Sequence, residues 1–553
     1  MNQFPILTII TLLPLVTGIA VAGLRRQERL ARQVALASSL LSLGLALGLW
    51  RVFNAASGEL QFVEKHEWIT TLSVNYFVGV DGLGLLLVML TAVVTPMAML
   101  ASWRLGGTNY TARSSETPEE AEDGAEAASS SQGAVKHAQP TRNAHLYFAL
   151  ILFLQSGLFG TFTALNFFHW FIFWELSLIP AFFLVRLWGG LGRVAAANQF
   201  FLYTMAGSVA MLLAFLAIYL ATGKFDFPAL AELGRSGALA SALSAKLGWF
   251  NLSADQLALI ILGGVLLGFA VKVPLMPFHT WLPAAYAEAP CGVTMLLTGL
   301  MSKMGVYGLL RIFLPLFSAQ LGEPRVQNVL LTLAVITVVF SACAAFAQRD
   351  LKRTFAYSSI NHLGYCLLAI FAVAKFTSSP EFATEKAAAL NGVFLQMFNH
   401  GFTAATLFWC VGMIEQRSGG VRGLNDFGGL RKIAPILCGL MGIAMFSSLG
   451  LPGLNSFVGE FLIFKGVFPL APWAAGVAVL GLLVTAIFIL TIFQRVFHGP
   501  VNEKWSKFPD LTPREIGMLA IPIALMFVLG LWPQLILGVV NNTAVQMVEQ
   551  LKF

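Results

Sequence analysis

Six ionisable side chains stand near the middles or the breaks of long apolar runs, and their types suit a proton relay. Glu175 lies in Phe173-Trp174-Glu175-Leu176-Ser177. Lys272 directly precedes Val273-Pro274-Leu275-Met276-Pro277, and Lys303 lies in Met301-Ser302-Lys303-Met304-Gly305. His362 and His400 occupy the middles of two further apolar runs, and Glu460 lies in Val458-Gly459-Glu460-Phe461. A charge at the bilayer centre costs roughly 2.5–3.5 kcal/mol on insertion scales, so such residues persist only where they face one another or water. Desolvation favours the neutral form of a buried lysine or carboxylate, and an opposite charge at about 4–6 Å favours the ionised form. A buried lysine with a movable carboxylate partner is therefore a proton switch, and Glu175 with Lys272 is the candidate pair. Lys303, His362 and His400 are candidates to carry protons across the dry middle, since histidine titrates nearest neutral pH. Glu460 is the candidate terminal acceptor. For each residue the alternative is a structural ion pair or a hydrogen-bonded core histidine. His279 and Glu288 are weaker candidates, and Asp81 has the position of a helix N-cap.

The elements that must hold these residues follow from composition. The chain has 553 residues, 57% hydrophobic and 11% charged, with mean hydropathy +0.76. A charged share of about 25% is usual for soluble proteins, so a soluble enzyme is excluded. Disorder of the whole chain is excluded by the same figures. A membrane span needs about 20 apolar residues. Fourteen runs qualify: 4–24, 33–53, 80–103, 144–165, 167–187, 194–221, 256–285, 291–316, 326–347, 354–374, 390–413, 435–466, 473–497 and 515–540. Their length argues against β-barrel alternation. The expected fold is an all-α polytopic membrane protein of about fourteen transmembrane helices.

Alternate loops hold 21 of the 34 basic residues, the opposite loops and C-terminal tail eight, and the spans or their ends five. The basic set, which includes Arg25, Arg26, Arg29, Arg32, Arg417 and Arg422, is expected on the cytoplasmic side. An even span count then places both termini on the periplasmic side. The net charge of +7 follows from this bias and does not call for nucleic acid.

The seventh run is interrupted by Pro274, Pro277 and Pro283, and the twelfth by Gly450-Leu451-Pro452-Gly453. Proline removes a backbone donor and clashes with the preceding turn. Broken backbone at membrane depth is tolerated only inside protein or along a wet cavity. Spans 4–8 and 9–13 each carry their broken helix in fourth place, and blocks of five alternate in orientation. This is the layout of an inverted-repeat transporter. The expected organisation is spans 1–3 in 1–103, a flexible acidic cytoplasmic insertion at 104–143, five-helix repeats at 144–316 and 326–497, and a final loop and span at 498–553. The five cysteines form no CxxC or metal pattern. No phosphate-binding glycine loop is evident, and the isolated histidines offer little for haem. The chain therefore shows no electron-transfer equipment, metal or cofactor site of its own. The first run lacks the marks of a cleavable signal.

These segments resemble a known family. Phe173-Trp174-Glu175-Leu176-Ser177-Leu178-Ile179-Pro180 is similar to the fifth-span motif of the antiporter-like membrane subunits of respiratory complex I. So are Val271-Lys272-Val273-Pro274-Leu275-Met276-Pro277-Phe278-His279-Thr280-Trp281-Leu282-Pro283, Ser302-Lys303-Met304-Gly305-Val306-Tyr307-Gly308 and Ala356-Tyr357-Ser358-Ser359-Ile360-Asn361-His362-Leu363-Gly364. Glu460, where the L-type chain and the cation/proton antiporters carry lysine, looks like the M-type branch, and the chain has no room for the long lateral helix of the L-type. The acidic insertion departs from the family's short connection. The resemblance implies a proton-translocating membrane-arm subunit of NADH:quinone oxidoreductase in a bacterial plasma membrane. Glu175 and Lys272 would be its input pair, Lys303 its central lysine, His362 and His400 its connecting axis, and Glu460 its exit carboxylate. NADH, FMN, iron–sulfur clusters and quinone would belong to the other membrane-arm and peripheral-arm subunits. The rivals are a multi-subunit Na⁺/H⁺ antiporter, a membrane-bound hydrogenase or formate-linked subunit, and a non-pumping scaffold.

Overall fold

The two proline- and glycine-broken segments differ in burial, Lys272 to Met276 at the first being buried and Leu451 and Pro452 at the second exposed, and the packing of the long apolar helices decides what surrounds each. The computed structural model describes residues 4–103, 143–248, 252–375 and 380–551. The insertion expected at 104–143 falls outside the described residues except for Asn143.

The helices are α1 (Ile6–Gly23), α2 (Glu28–Val52), α3 (Gly82–Ala101), α4 (Ala144–Thr163), α5 (Phe167–Trp188) and α6 (Arg193–Thr222). Two short outer helices, α7 (Phe227–Arg235) and α8 (Ala238–Leu247), precede α9 (Ala254–Lys272) and α10 (Trp281–Glu288). The second part holds α11 (Cys291–Leu316), α12 (Pro324–Ala347), α13 (Leu351–Val373), α14 (Ala383–Arg417), α15 (Pro435–Ser448), α16 (Asn455–Leu470), α17 (Pro472–Phe497), α18 (Pro513–Leu531) and α19 (Gln534–Gln550). Twelve of the described helices are long and apolar enough to cross a membrane. The protein is an all-α polytopic membrane protein. α3, α4, α11 and α13 are enclosed by the others, whereas α1, α2, α17 and α18 turn apolar side chains outward, as lipid-facing helices do.

Both expected interruptions are present, between α9 and α10 and between α15 and α16. Their freed backbone groups find partners, as burial in lipid demands. At the first break the amide of Met276 donates to Thr337 Oγ1 of α12 at 3.0 Å, and Trp281 Nε1 donates to the Val271 carbonyl at 2.9 Å. At the second, Asn399 Nδ2 donates to the Asn455 backbone carbonyl at 2.6 Å, and the Asn455 side chain is fixed separately, its Oδ1 lying 2.5 Å from Ser447 Oγ.

Two features depart from the sequence reading. Residues between α2 and α3 form an antiparallel hairpin, β1 (Gln61–Ile69) and β2 (Val74–Val80). It is anchored by Glu64, which accepts the Leu7 amide at 2.9 Å and the Thr8 hydroxyl. Burial raises the pKa of Tyr76 beside that hydroxyl above its ordinary value. The run expected to be one span at 515–540 ends at Leu531, and α19 follows as a separate helix after Pro533. Proline pushes the residue before it out of the α region, and Trp532 sits at φ −131°, ψ 66°. α19 packs under α3 and α14, where Thr543 Oγ1 accepts the Gly82 amide at 3.0 Å and Asn541 Oδ1 accepts Asn391 Nδ2 at 2.8 Å.

Candidate functional site

Lys303 is fully enclosed on α11 between two wide π-helical turns, Leu297–Met301 and Leu309–Phe313. Such turns interrupt the regular hydrogen-bond ladder and recur at functional sites. Here the Thr298 carbonyl is open to side chains. It accepts Lys303 Nζ at 2.6 Å and Ser302 Oγ at 3.0 Å. Lys303 Nζ also lies 2.8 Å from His400 Nδ1, so His400 accepts from the ammonium when that nitrogen carries no proton.

From His400 the row continues. The His400 and His362 rings lie 5.2 Å apart, centroid to centroid. His362 Nδ1 lies 3.1 Å from Glu460 Oε1, and its Nε2 lies 3.1 Å from Ser448 Oγ. Gln396 Nε2 is 3.3 Å from both His362 Nδ1 and Glu460 Oε1. Gln396 and His400 are one turn apart on α14 and so share a face. α13 supplies His362 and α16 supplies Glu460, just after the second break. Gly450, at φ +78°, adopts the left-handed conformation that lets the chain turn beneath Glu460. The structure thus brings Lys303, His400, His362 and Glu460 into one buried row.

Lys272 lies at the end of α9, at the first break. Its ammonium stands 4.3 Å from the centre of the Trp174 ring and 3.5 Å from Ser177 Oγ, both on α5. The aromatic face offers a cation its negative quadrupole. Glu175, between those two residues, is close enough to act on Lys272 electrostatically. Among the described residues it makes no ion pair within 4.0 Å, and neither carboxylate oxygen has a hydrogen-bond partner. The expected direct Glu175–Lys272 pair is therefore not closed in this structure. The physical reason lies in the local packing: Trp174 and Ser177 hold the ammonium. Gly305 brings α11 against this end of α9, since a Cβ there would stand 3.1 Å from the Val273 amide nitrogen.

The weaker candidates fall elsewhere. His279 lies near the Tyr357 ring, and its Nδ1 is without a partner among the described residues. Asp81 caps α3 by accepting the Gly84 amide at 3.0 Å and also meets Arg311 Nη2 at 2.5 Å. Glu288 belongs to a clasp beneath α10. Arg422 meets Glu288 at 3.1 Å, Asp350 at 2.5 Å and Glu415 at 3.6 Å, while Lys352 meets Glu415 at 2.7 Å. Burial works against the charge of Arg422, and the three carboxylates outweigh it, raising its pKa above the ordinary value. Gln396, Ser448 and Thr298 touch the row and Trp174 touches Lys272, and the sequence reading assigned a role to none of them. The available signal was a polar residue four positions from a buried histidine in the case of Gln396. Among the described residues no group of three or more His, Cys, Asp or Glu could hold a metal ion.

Two broken helices and a charged row buried in an apolar bundle define a polytopic membrane protein with an ionisable interior. A family model described as NADH:quinone oxidoreductase/Mrp antiporter, TM, matches residues 164–487, and the chain belongs to that family. It is 34% identical over 550 residues to NADH-quinone oxidoreductase subunit M of Mycobacterium tuberculosis (strain CDC 1551 / Oshkosh), covering 98% of this chain and 93% of the relative. It is 33% identical over 545 residues to F(420)H(2) dehydrogenase subunit M of Methanosarcina mazei, covering 98% of each. A chain of respiratory complex I from Thermus thermophilus with bound NADH superposes with TM-score 0.77 at 26% identity, over 99% of this chain and 100% of the other.

Proposed function

We propose that this chain is the M-type, proton-translocating membrane-arm subunit of an NADH:quinone oxidoreductase, itself a non-redox part of the enzyme. The observation that carries the reading is the buried row Lys303–His400–His362–Glu460 beside two broken helices. NADH, FMN, iron–sulfur clusters and quinone belong to partner subunits on this reading. The complex lies in a bacterial plasma membrane, with the arginine-rich loops and the 104–143 insertion on the cytoplasmic side and both termini on the periplasmic side.

In this mechanism a charge change in a neighbouring subunit swings Glu175 toward or away from Lys272. The unpartnered Glu175 oxygens leave the carboxylate free to make that movement. Lys272 holds its proton while Glu175 is near and passes it toward Lys303 when the carboxylate withdraws. Lys303 donates to His400, the proton crosses to His362, and Glu460 receives it. Each charge moved against 100 mV requires about 2.3 kcal/mol, supplied by quinone reduction elsewhere. Reconstituting the complex with Lys272→Ala tests this. Loss of NADH-driven proton uptake is expected, and full pumping at a full NADH oxidation rate would sink the role of Lys272.

The family description also includes Mrp antiporters, which makes Na⁺/H⁺ exchange the second reading. Glu460 speaks against it, because its place resembles the M-type branch, whereas the antiporter chains usually carry lysine there. Sodium-dependent proton exchange in vesicles lacking NADH and quinone would favour it.

A further inference from the structure

Lys303, Tyr307 and Arg311 follow one another at four-residue steps along α11, running from the bilayer centre toward the face opposite the arginine-rich loops. Arg311 is largely buried and meets Asp81 Oδ1 at 2.5 Å, and its guanidinium lies 5.5 Å from the centre of the Tyr307 ring. Asp81 is fixed at the N-terminus of α3 by the Gly84 amide. On one side of this pair a cavity of about 370 Å³ opens between the 58–60 loop, α7 and the end of α19, lined by Glu59, Asp81, Arg235, Arg311, Thr543 and Gln546. That volume holds roughly ten waters at about 30 Å³ each. On the other side, the Tyr307 hydroxyl and Arg311 Nε are buried without hydrogen-bond partners among the described residues. Buried polar atoms of this kind are normally satisfied by water. The cavity thus ends at the Arg311–Asp81 pair, and beyond the pair the buried Tyr307 stands one helical turn along α11 from Lys303.

An open path there would short-circuit a pump, because protons returning down the gradient would reach the central lysine. A guanidinium cannot relay a proton, since it never gives one up in proteins. Held by Asp81 at the inner end of the cavity, Arg311 fills that end with a group that passes no proton on, and its guanidinium faces any hydronium entering there, as arginines do in proton-excluding pores. We propose that the Arg311–Asp81 pair is an electrostatic barrier closing the outer cavity against protons, so that Lys303 communicates with that face only through Glu460. Asp81 serves to hold Arg311 at the inner end of the cavity. This inference rests on the proton-translocating reading above.

The test uses the whole complex in liposomes, with a pH gradient imposed acid on the cavity side, the membrane potential clamped, and neither NADH nor quinone present. Arg311→Met is expected to raise the passive proton leak per complex at least tenfold, and Arg311→Lys, which keeps the charge, to stay as tight as the parent. Asp81→Asn/Arg311→Met leaves no lone buried charge and is expected to leak likewise; it decides the matter if the single variant does not assemble. NADH oxidation by the detergent-solubilised complex reports assembly. An assembled charge-free variant that holds the gradient like the parent overturns the proposal. So does an Arg311→Lys variant that leaks as much as Arg311→Met. NADH-driven proton uptake by the parent, measured in the same vesicles, separately tests the translocating reading, because the imposed-gradient leak needs no turnover.

Discussion

Replacing Glu460 by glutamine separates the carboxylate's charge from its hydrogen bonds. Glu460 Oε1 lies 3.1 Å from His362 Nδ1 and 3.3 Å from Gln396 Nε2. A glutamine oxygen in the same place accepts from both groups, and the volume hardly changes. Bonds to a charged group contribute about 1.5–3 kcal/mol and neutral ones about 0.5–1.5 kcal/mol. Two bonds thus lose about 2–3 kcal/mol in sum, and this is offset in part because no charge then has to be buried. Assembly should therefore change little. What disappears is the capacity to take and release a proton, and a positioned acid–base group is typically worth 10²–10⁴-fold. The proton-release step should slow by about that factor, far more than the structural loss explains. The assay is NADH-driven quenching of a pH-sensitive dye in inside-out vesicles. NADH oxidation with an artificial acceptor that bypasses quinone serves as the control for assembly. Glu460→Ala, which leaves His362 and Gln396 without their acceptor, should damage assembly as well. Pumping at the parental rate by an intact Glu460→Gln complex would remove Glu460 from the pathway. Equal loss of assembly in both variants would show its role to be structural.

Three further outcomes follow from the same geometry. His400→Leu removes the acceptor 2.8 Å from Lys303 Nζ; a bond to a charged group is worth about 1.5–3 kcal/mol, so pumping in vesicles should fall about tenfold to a hundredfold, with His400→Gln intermediate. Gly450→Ala forces a side chain into φ +78° against Glu460 Oε2; it should cost about 1–2 kcal/mol of local strain and lower pumping more than assembly, read in the same two assays. Arg422→Gln withdraws the shared partner of Glu288, Asp350 and Glu415. At about 1.5–3 kcal/mol for each bond to a charged group, reduced by partial exposure, it should lower the thermal dissociation temperature of the complex while leaving the pH dependence of pumping unchanged.

What could be read in the sequence was whatever an apolar background makes visible. A lone lysine or glutamate in twenty apolar residues is conspicuous, so Lys303, His400, His362 and Glu460 could be named before their contacts were known. Prolines clustered together or flanked by glycines announce a broken helix, whereas lone ones such as Pro96 and Pro180 sit inside continuous helices, and both breaks are where Pro274 and Pro452 stand. Partner choice is a different kind of information. The Lys352–Glu415 pair is among the most deeply buried in the protein, yet each residue stands near the end of a helix and reads as an ordinary loop-side charge. Only the packing of α13 against α14 makes the two meet. Arg311 and Asp81 are 230 residues apart in the chain, and no local pattern joins them. The hairpin at 61–80 was missed because β1 alternates poorly, Glu64 being its buried residue while Val63 is exposed, so its face cannot be found from hydrophobicity. The interruption at Pro533 had a lone proline for its signal, and it lay in a run long enough to pass for one span. Glu175 shows the limit most clearly. The sequence identifies an ionisable group next to Trp174, but a movable partner is by nature one whose position a single arrangement of the chain does not fix, and in this arrangement Trp174 and Ser177, not Glu175, touch Lys272.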